Sequence, residues 1–318
     1  MSSESVLVTG CAGFIGSHLC ERLVADGWKV VGIDNFCNFY DPKIKRKNLT
    51  ALLSKPSFTL VEVDIRDKAA VEAVFKRFSP VVVIHLAAMP GVRPSIENPE
   101  LYVDVNVRGT TVLLEACAKH EIQHLVFGSS SSVYGNNDKV PFSENDRVET
   151  PISPYAASKR AGELLCYTFH SLCGFACTAL RFFTVFGPRQ RPDLAIQKFL
   201  TAVANDKPIT LFGDGTMSRD YTYIDDIIDG IMASLLKPEG FRIYNLGSSS
   251  PVTLLELVEV IRRVTRRKVK VEFATKQMGD MERTFADITL ASKELGFAPK
   301  VSLEEGIRRQ WQYLLEGS

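Results

Sequence analysis

The sequence predicts an α/β fold in which a doubly wound parallel sheet of about seven strands carries a smaller mixed α/β lobe. Two observations support this prediction. Short β-prone segments alternate with helical patterns through the first half of the 318 residues, which is the order of βαβ units. A glycine-rich segment, 10–16, joins the first β-prone run to the first helical pattern. A tight glycine turn at that place is typical of a Rossmann-like sheet.

Seven short apolar segments are predicted as strands: 5–9, 29–34, 58–63, 81–85, 123–129, 176–184 and 241–246. Helical patterns lie between most of them, and two long ones cover 102–119 and 155–172. After Gly187-Pro188 the alternation weakens. We therefore expect a cofactor-binding domain formed by 1–188 plus 220–250, and a substrate-binding lobe formed by 189–219 plus 251–318. Ligands of such sheets bind at the carboxyl ends of the strands.

The glycine segment reads Gly10-Cys11-Ala12-Gly13-Phe14-Ile15-Gly16. Its glycines permit a tight turn, close approach to a pyrophosphate and close packing of helix on strand. The helix that follows would direct its amide donors at the phosphates. The second strand ends at Asp34, whose carboxylate is placed to accept hydrogen bonds from an adenosine ribose diol and to repel a 2′-phosphate. We therefore expect NAD as the cofactor, in preference to NADP.

Tyr155 and Lys159 stand four residues apart, after Ser153 and Pro154. Ser153 has the character of an N-cap and Pro154 that of a first helical residue, so the pair should share one helix face. An ammonium beside a phenol favours the phenolate, which makes Tyr155 a candidate base. Such a pair alone is more often an ordinary surface feature. The preceding serine run, 129–132, and the glycine segment favour the catalytic interpretation.

Composition indicates an enzyme without a nucleic-acid or membrane partner. Lysine and arginine total 38 against 37 acidic residues, a formal net charge of +1. The longest apolar run, 81–89, contains His85 and is too short to span a bilayer. The first strand begins almost at once, so we expect no signal peptide and a cytoplasmic location. The seven cysteines lack paired metal-ligand spacing, so no metal is expected. The basic cluster 43–47 is predicted to be a solvated loop face.

Several motifs follow one another in a recognisable order: the glycine segment, Asp64-Ile65-Arg66-Asp67, His85-Leu86-Ala87-Ala88, Asn106-Val107-Arg108-Gly109-Thr110, Ser132-Val133-Tyr134-Gly135 and the Tyr–Lys pair. With them the chain resembles the extended short-chain dehydrogenase/reductases over nearly its whole length. Within that group it is similar to the nucleotide-sugar 4-epimerases. The stretches 35–41 and 89–95 resemble those of members that interconvert UDP-glucuronate and UDP-galacturonate.

The resemblance implies a mechanism. Tyr155 would remove the proton of the sugar 4-hydroxyl while a hydride leaves C4 for the nicotinamide. The resulting 4-keto sugar turns about its diphosphate, and the hydride returns to the other face. Lys159 would lower the pKa of Tyr155 and bind the nicotinamide ribose. Ser130 would bond the 4-hydroxyl and relay its proton, with Ser132 as the second candidate because the serine run leaves the register open.

Further cofactor contacts are implied at Asn35, Asp64, Ile65, Leu86, Ala87, Ala88, Asn106 and Ser129. Asn106 fits a cofactor-side role and a solvated helix position equally well.

At the nucleotide end, the resemblance implies that Arg219 grips the diphosphate and that Phe212 stacks on the uracil. Arg283 and Asp287 correspond to a pair that binds phosphate and the uridine ribose, and Thr210 is included among the substrate contacts. Arginine suits this task because its planar fork makes two hydrogen bonds to one phosphate.

At the sugar end, Thr184 stands where UDP-galactose 4-epimerases usually carry asparagine. Uronate epimerases, dehydratases and uronate decarboxylases share this threonine. Dehydratases place an acidic pair in the serine segment and decarboxylases place a glutamate there, whereas 129–132 is serine throughout. Thr184 is therefore a candidate to bond a uronate carboxylate, with Arg93 or Arg191 as charge partners.

Other functions stay open. One is 4-epimerisation of UDP-glucose or UDP-N-acetylglucosamine, and another is decarboxylation of a UDP-uronate. A non-catalytic NAD-binding regulator is disfavoured because both Tyr155 and Lys159 are retained. The resemblance also implies a homodimer, in which the helices at 102–119 and 155–172 pair across a two-fold axis into a four-helix bundle.

Overall fold

A computed structural model describes residues 4–275, 279 and 281–316. The strands are β1 (Ser5–Thr9), β2 (Lys29–Asp34), β3 (Phe58–Glu62), β4 (Val82–His85), β5 (His124–Ser130), β6 (Ala176–Phe182), β7 (Thr184–Phe186), β8 (Ile209–Phe212), β9 (Ser218–Tyr223), β10 (Phe241–Leu246), β11 (Pro251–Thr253) and β12 (Val271–Ala274).

The α-helices are α1 (Phe14–Ala25), α2 (Pro42–Asn48), α3 (Lys68–Phe78), α4 (Val92–Glu97), α5 (Pro99–Val103), α6 (Thr110–Lys119), α7 (Pro154–Cys173), α8 (Ala195–Ala204), α9 (Ile224–Leu235), α10 (Leu254–Thr265), α11 (Thr289–Leu295) and α12 (Leu303–Glu316). A π-helix spans Asp104–Gly109 and a 3-10 helix spans Ser131–Tyr134. None of the helices in the described part of the chain combines the length and apolarity needed to cross a lipid bilayer.

The central sheet has seven strands in the order β10-β6-β5-β4-β1-β2-β3, and every pairing within it is parallel. This confirms the predicted fold, and each predicted strand lies within two residues of an observed one. The segment 176–184 is the largest departure, because β6 ends at Phe182 and Thr184 begins β7. The chain moves outward from β1 to β3 and then returns to β4, so a crevice opens between β1 and β4 at their carboxyl ends.

Alternation along β1 shows how the sheet is covered on both faces. Val6 and Val8 belong to a core cluster with residues of α1 and α9, whereas Leu7 belongs to a second cluster with residues of α3, α6 and α7. All three side chains are fully buried. A parallel strand buried on both faces needs apolar residues at successive positions, and the run Val6-Leu7-Val8 provides them.

The remaining strands form two smaller sheets, β11-β9-β7 and β12-β8. They lie beyond the carboxyl ends of the central strands, since β7 follows β6 after a single residue. A third buried cluster, which includes Tyr134, Phe142 and Phe183, packs where this lobe meets the central sheet. The isolated bridge between Phe142 and Ala286 adds a backbone contact at the same place.

The long helical pattern at 102–119 is interrupted. The π-helix Asp104–Gly109 separates α5 from α6, and the Thr110 hydroxyl donates to the backbone carbonyl of Asn106 at 2.6 Å. π-Helical turns within α-helices are frequent at functional sites. Here the turn directs Asn106 inward, where it is 2% exposed.

Candidate active site

A cavity of about 590 Å³ runs along the carboxyl ends of the central strands, within the volume range of small-molecule and cofactor sites. Many of the residues predicted from the sequence line it: Gly10, Gly13, Phe14, Ile15, Gly16, Asp34, Asn35, Ile65, Leu86, Ala87, Ala88, Ser129, Tyr155, Lys159 and Arg191. In the described part of the chain, no cluster of three or more histidine, cysteine or acidic side chains is suited to hold a metal ion.

The glycine turn forms one wall of the cavity. Gly10 has φ +70°, and a Cβ added to it would lie 2.8 Å from the backbone nitrogen of Ala87. A Cβ on Gly16 would lie 2.1 Å from the carbonyl oxygen of Gly10. The turn is therefore closed to side chains at both positions, and its bare backbone is presented beside the start of α1. This arrangement fits the pyrophosphate of a dinucleotide.

Asp34 lines the cavity at the end of β2. Its carboxylate accepts hydrogen bonds from the amides of Ala12, at 3.1 Å, and Phe36, at 2.8 Å. Burial raises the pKa of Asp34, while the Phe36 amide and the charge of Lys45 oppose that rise. Each carboxylate oxygen accepts one of these bonds and has a second lone pair, as a ribose diol requires.

The prediction that the basic cluster 43–47 forms a solvated loop is wrong at Lys45, which is buried in a helix. The basic cluster forms α2, which begins after Asp41 caps the amide of Lys43 at 2.9 Å. Lys45 is 5% exposed and lines the cavity, where its ammonium donates to the carbonyl of Cys37 at 2.8 Å. Asp41 followed by Pro42 is a helix-start signal. This signal would have predicted a helix, and one face of a helix on a domain surface is normally buried.

Asp64 lies behind the cavity wall. It accepts hydrogen bonds from Arg66, at 2.9 and 2.7 Å, and from the amide group of Asn35, at 2.9 Å. The hydrogen bonds from Arg66 hold the pKa of Asp64 well below its usual range. Arg66 itself lines the cavity and also pairs with Asp104 at 2.7 Å. Arg66 belongs to the recognised motif Asp64-Ile65-Arg66-Asp67, but the sequence predicted no role for this residue.

Helix α7, which carries Tyr155 and Lys159, begins as expected. The hydroxyl of Ser153 accepts from the amide of Ala156 at 3.1 Å, and Pro154 is the first helical residue. Lys159 is 6% exposed, and its ammonium donates to the carbonyl of Gly128 at 2.7 Å. Burial lowers the pKa of Lys159 to about 8, against the opposing negative charge of Glu163.

Tyr155 lines the cavity on the same helix face as Lys159. Burial raises the pKa of Tyr155, and a hydrogen bond from Ser130 and the positive charge of Arg191 oppose that rise. The hydroxyls of Ser130 and Ser132 are 3.2 Å apart, and Ser130 also caps the 3-10 helix through the Ser132 amide. Ser130 is thus in contact with the phenol. The effect of Lys159 on the pKa of Tyr155 stays a prediction.

Asn106 supports the cavity from behind. Its side chain accepts from the amide of Met89 at 2.7 Å, donates to the Met89 carbonyl at 3.0 Å and donates to the Ser158 hydroxyl at 2.9 Å. Ser158 in turn donates to the carbonyl of Tyr155 at 2.8 Å. Asn106 is therefore not a solvated helix residue, and its hydrogen bonds hold Met89 in the cavity wall against α7.

Arg191, which was predicted to act at the sugar end of the substrate, lines the cavity. The guanidinium lies 5.5 Å from the Phe39 ring centroid and pairs with both carboxylate oxygens of Asp193, at 2.9 and 2.7 Å. Thr184 is half-buried and opposite Tyr221 in the register of β7 and β9. The cavity lining includes Arg191 and does not include Thr184.

The predicted nucleotide contacts lie in the smaller lobe, outside that lining. Arg93 stacks on Phe212 at 4.5 Å, with the exposed Thr210 on the same strand as Phe212. A backbone bridge joins Ser218, the neighbour of Arg219, to Arg283. Asp287 bonds the Phe142 carbonyl through its amide at 2.9 Å. The structure thus places the predicted nucleotide contacts Thr210, Phe212, Arg219, Arg283 and Asp287 in the smaller lobe. Arg93, which was predicted as a charge partner of the uronate carboxylate, lies instead on α4 against Phe212.

Asp220, for which the sequence predicted no role, lies on β9. It is fully buried and accepts hydrogen bonds from the amides of Ser248, at 2.7 Å, and of Ser249 and Ala286, both at 3.0 Å. These bonds fix two loops, one at Ser248 and Ser249 and one at Ala286, beside Arg219. Its place between Arg219 and Tyr221 in a strand carried no sequence signal for this role.

Comparison with known proteins adds a family. Residues 6–247 match the model of the NAD dependent epimerase/dehydratase family. A UDP-glucuronate 4-epimerase of Thermodesulfobacterium geofontis is 44% identical over 304 residues, which cover 95% of this chain and 94% of the relative.

Solved structures agree with the fold. The UDP-glucuronic acid 4-epimerase from Bacillus cereus, in complex with UDP-glucuronic acid and NAD, superimposes with a TM-score of 0.94 at 36% identity, covering 99% of this chain and 100% of that one. The UDP-glucose 4-epimerase from Thermotoga maritima, with UDP-glucose, gives a TM-score of 0.92 at 31% identity, covering 98% and 99%.

Proposed function

Because the chain belongs to the NAD dependent epimerase/dehydratase family, we propose that it is an NAD-dependent 4-epimerase that interconverts UDP-glucuronate and UDP-galacturonate. The observation that carries this proposal is the position of Tyr155 in the cavity, with Lys159 on its helix face, the Ser130 hydroxyl in contact and the charge of Arg191 nearby. The relatives that act on UDP-glucuronate and match nearly the whole chain support the same substrate.

In this mechanism Tyr155 takes the proton of the sugar 4-hydroxyl and later returns it. Ser130 donates to the phenolate oxygen and stabilises the charged form. Lys159, held by the Gly128 carbonyl at 2.7 Å, adds a positive charge on the same helix face. The closed glycine turn and Asp34 would hold the dinucleotide. When bound, NAD would supply a reversible hydride acceptor, so the protein would need no exchange of cofactor between turnovers.

The uronate carboxylate sets a further requirement. Oxidation at C4 makes a β-keto acid, because C5 bears the carboxylate. Such acids lose carbon dioxide when the carboxylate turns perpendicular to the ketone and sheds its solvation. Positioned donors can hold it in the unreactive orientation. Arg191 at the cavity, the hydroxyls of 130–132 and the predicted contact at Thr184 are the groups that we assign to this task.

The experiment is the conversion of UDP-glucuronate followed by NMR. We expect UDP-galacturonate with little UDP-pentose. Thr184→Val keeps the shape and removes the hydroxyl, so it should lower uronate turnover more than UDP affinity and raise the decarboxylated fraction. An unchanged rate and product mixture would remove Thr184 from the mechanism.

A parallel assay with UDP-glucose and UDP-N-acetylglucosamine tests the other epimerase functions. The likeness to the Thermotoga maritima enzyme with UDP-glucose favours 4-epimerisation of UDP-glucose as the second candidate function. Faster turnover of either neutral sugar would replace the uronate assignment, and a UDP-pentose as the main product would indicate a decarboxylase.

A homodimer in the cytoplasm forms part of the proposal. Large apolar side chains are exposed along α5 and α7, with Val103 at 54%, Leu164 at 51%, Tyr167 at 55% and Leu172 at 77%. A two-fold contact between these helices would cover both copies at once. All seven cysteines are free thiols, which suits a reducing compartment.

A further inference from the structure

A network of buried polar contacts joins α7, the helix that carries Tyr155, to the smaller lobe. It crosses the carboxyl ends of three adjacent strands, where Ser129, Arg181 and Asn245 are register neighbours on β5, β6 and β10. These side chains are 3%, 1% and 0% exposed. Neighbouring strands hold such groups at fixed spacing, so their side chains lie within reach of one another.

Glu163 lies at one end of this network of contacts, one helical turn beyond Lys159 on α7. Its buried carboxylate accepts from the Ser129 hydroxyl at 2.7 Å and from Arg160 at 3.0 Å. Arg181 donates to both of its oxygens, at 2.8 and 2.9 Å. This ion pair therefore fixes α7 to β6 and orients the serine that precedes Ser130.

Asn245, on β10 of the central sheet, lies at the other end of these contacts, where the sheet meets the smaller lobe. Its side-chain amide donates to the backbone carbonyls of Phe142, at 2.8 Å, and Asp287, at 3.1 Å. Phe142 also donates from its own amide to the carbonyl of Phe285 at 2.7 Å. Asn245 therefore determines where the segment with Asp287 lies relative to the central sheet.

The hydroxyl oxygen of Tyr134 connects the ion pair of Glu163 and Arg181 to the contacts of Asn245. This hydroxyl accepts from Arg181 at 2.9 Å and donates to the carbonyl of the Asn245 side chain at 2.6 Å. The ring is 2% exposed and packs on Phe142, with centroids 4.9 Å apart, and on Phe183, at 6.4 Å. Hydrogen bonds in such a low-dielectric interior are strong and polarise one another.

We propose that Tyr134 is a positioning residue that transmits occupancy of the nucleotide end to the serine segment and to α7. The inference rests on the proposed function, because it requires that a uridine diphosphate bind beside Asp287. Binding energy gained there would order the Asp287 segment, then Asn245, Tyr134 and Arg181, and so set Ser129. Enzymes can use binding of the remote part of a substrate in this way to raise kcat.

The test uses the NAD-bound protein and the variant Tyr134→Phe, which keeps the ring in its aromatic cluster and removes the connecting oxygen. Tyr244→Phe is the matched control. Tyr244 precedes Asn245 on β10 and is 4% exposed, yet its hydroxyl donates to Glu294 at 2.6 Å, away from the network of contacts. Hydrogen exchange is measured by mass spectrometry with and without UDP, and UDP affinity by calorimetry.

In the wild type, we expect UDP to slow exchange both at 281–290 and at two catalytic peptides, 128–135 and 155–165. In Tyr134→Phe, protection should remain at 281–290 and be lost at 155–165, a peptide that does not contain the substitution. Tyr244→Phe should behave as the wild type. With UDP-glucuronate, Tyr134→Phe should lose kcat about tenfold with KM changed less, within the cost of a small misplacement.

Two results would overturn the inference alone: UDP that binds the wild type without protecting 155–165, or equal protection there in Tyr134→Phe. Loss of bound NAD in Tyr134→Phe but not in Tyr244→Phe would assign Tyr134 a purely structural role and also overturn it. A wild type that binds no UDP would refute the proposed function, and with it this inference. A wild type that binds UDP and protects 155–165, but converts no UDP-sugar, would refute the function and leave the coupling supported.

Discussion

Replacement of Gly16 by alanine tests the dinucleotide assignment at its tightest contact. The new Cβ would lie 2.1 Å from the Gly10 carbonyl oxygen, 2.9 Å from the Gly10 carbonyl carbon and 3.0 Å from the Cα of Cys11. All three are backbone atoms, which cannot rotate away. Ordinary contact begins at 3.4 Å, so the turn must open by about 1.3 Å. In catalysis a misplacement of about 1 Å can lower the rate about 10²-fold, and we expect a loss of similar size in binding. We expect NAD affinity to fall about 100-fold, or about 2.7 kcal/mol.

Two other glycines give a graded series. A Cβ on Gly13 would approach the Gly10 oxygen at 3.2 Å, so Gly13→Ala should weaken NAD binding by a smaller factor. Gly27, beyond the other end of α1, has φ +89° and no atom within 4 Å of an added Cβ. Gly27→Ala therefore strains the backbone without touching the turn, and it should lower the melting temperature while NAD binding stays unchanged.

The measurements are the NAD released per protomer from denatured, purified protein and the calorimetric Kd of the stripped protein. The wild type should retain NAD through purification, since its reaction returns the hydride. Retention of NAD by Gly16→Ala with a Kd within about threefold of the wild type would show that the turn does not bind the pyrophosphate. Release of NADP instead of NAD would refute the role of Asp34.

Three further predictions concern the base, its neighbour and the dimer. Tyr155→Phe keeps the ring and should lower kcat by about 10²–10⁴-fold, with bound NAD unchanged; epimerisation at the parent rate would exclude Tyr155 as the base. Burial lowers the pKa of Lys159 from 10.5 to about 8, so unfolding takes up a proton between these values. Urea titrations of NAD-free protein should therefore show a contribution to stability that rises from pH 8 to 10.5 and is absent in Lys159→Met. Leu164→Glu on the exposed face of α7 should give monomers by light scattering at micromolar concentration, whereas a monomeric wild type would refute the dimer.

The glycine turn and the start of α7 could be predicted from the sequence because the sequence signals for both are local. Glycines close a turn within seven residues at 10–16, and Ser153 and Pro154 begin the helix that carries Tyr155 and Lys159. Each is a short-range constraint with its own backbone geometry. The same holds for the strand ends, since a run of apolar β-branched residues ends where its hydrogen-bonded partners end.

The interior of the site was not predictable in the same way. Glu163, Arg181, Tyr134 and Asn245 are separated by 18, 47 and 111 residues along their three contacts. No local pattern specifies such pairings, and a charged residue in a strand or a helix is more often at the surface. Asp220 escaped prediction for the same reason, because its partners Ser248 and Ala286 come from two distant loops.

The fold itself does not choose the sugar. A structure with UDP-glucuronic acid and one with UDP-glucose superimpose on this chain almost equally well, with TM-scores of 0.94 and 0.92. The choice must therefore lie in side chains that differ while the backbone stays the same. Arg191 is the charged group of this chain that lines the cavity and acts on the pKa of Tyr155. A cation there favours a carboxylate at C5, and it also favours the phenolate that removes the proton at C4. If Arg191 binds the carboxylate, as we propose, one guanidinium would couple substrate choice to base strength. We therefore expect Arg191→Met to lower turnover of a uronate more than that of a neutral UDP-sugar, while slowing both. Equal losses for the two substrates would show that Arg191 acts on Tyr155 alone.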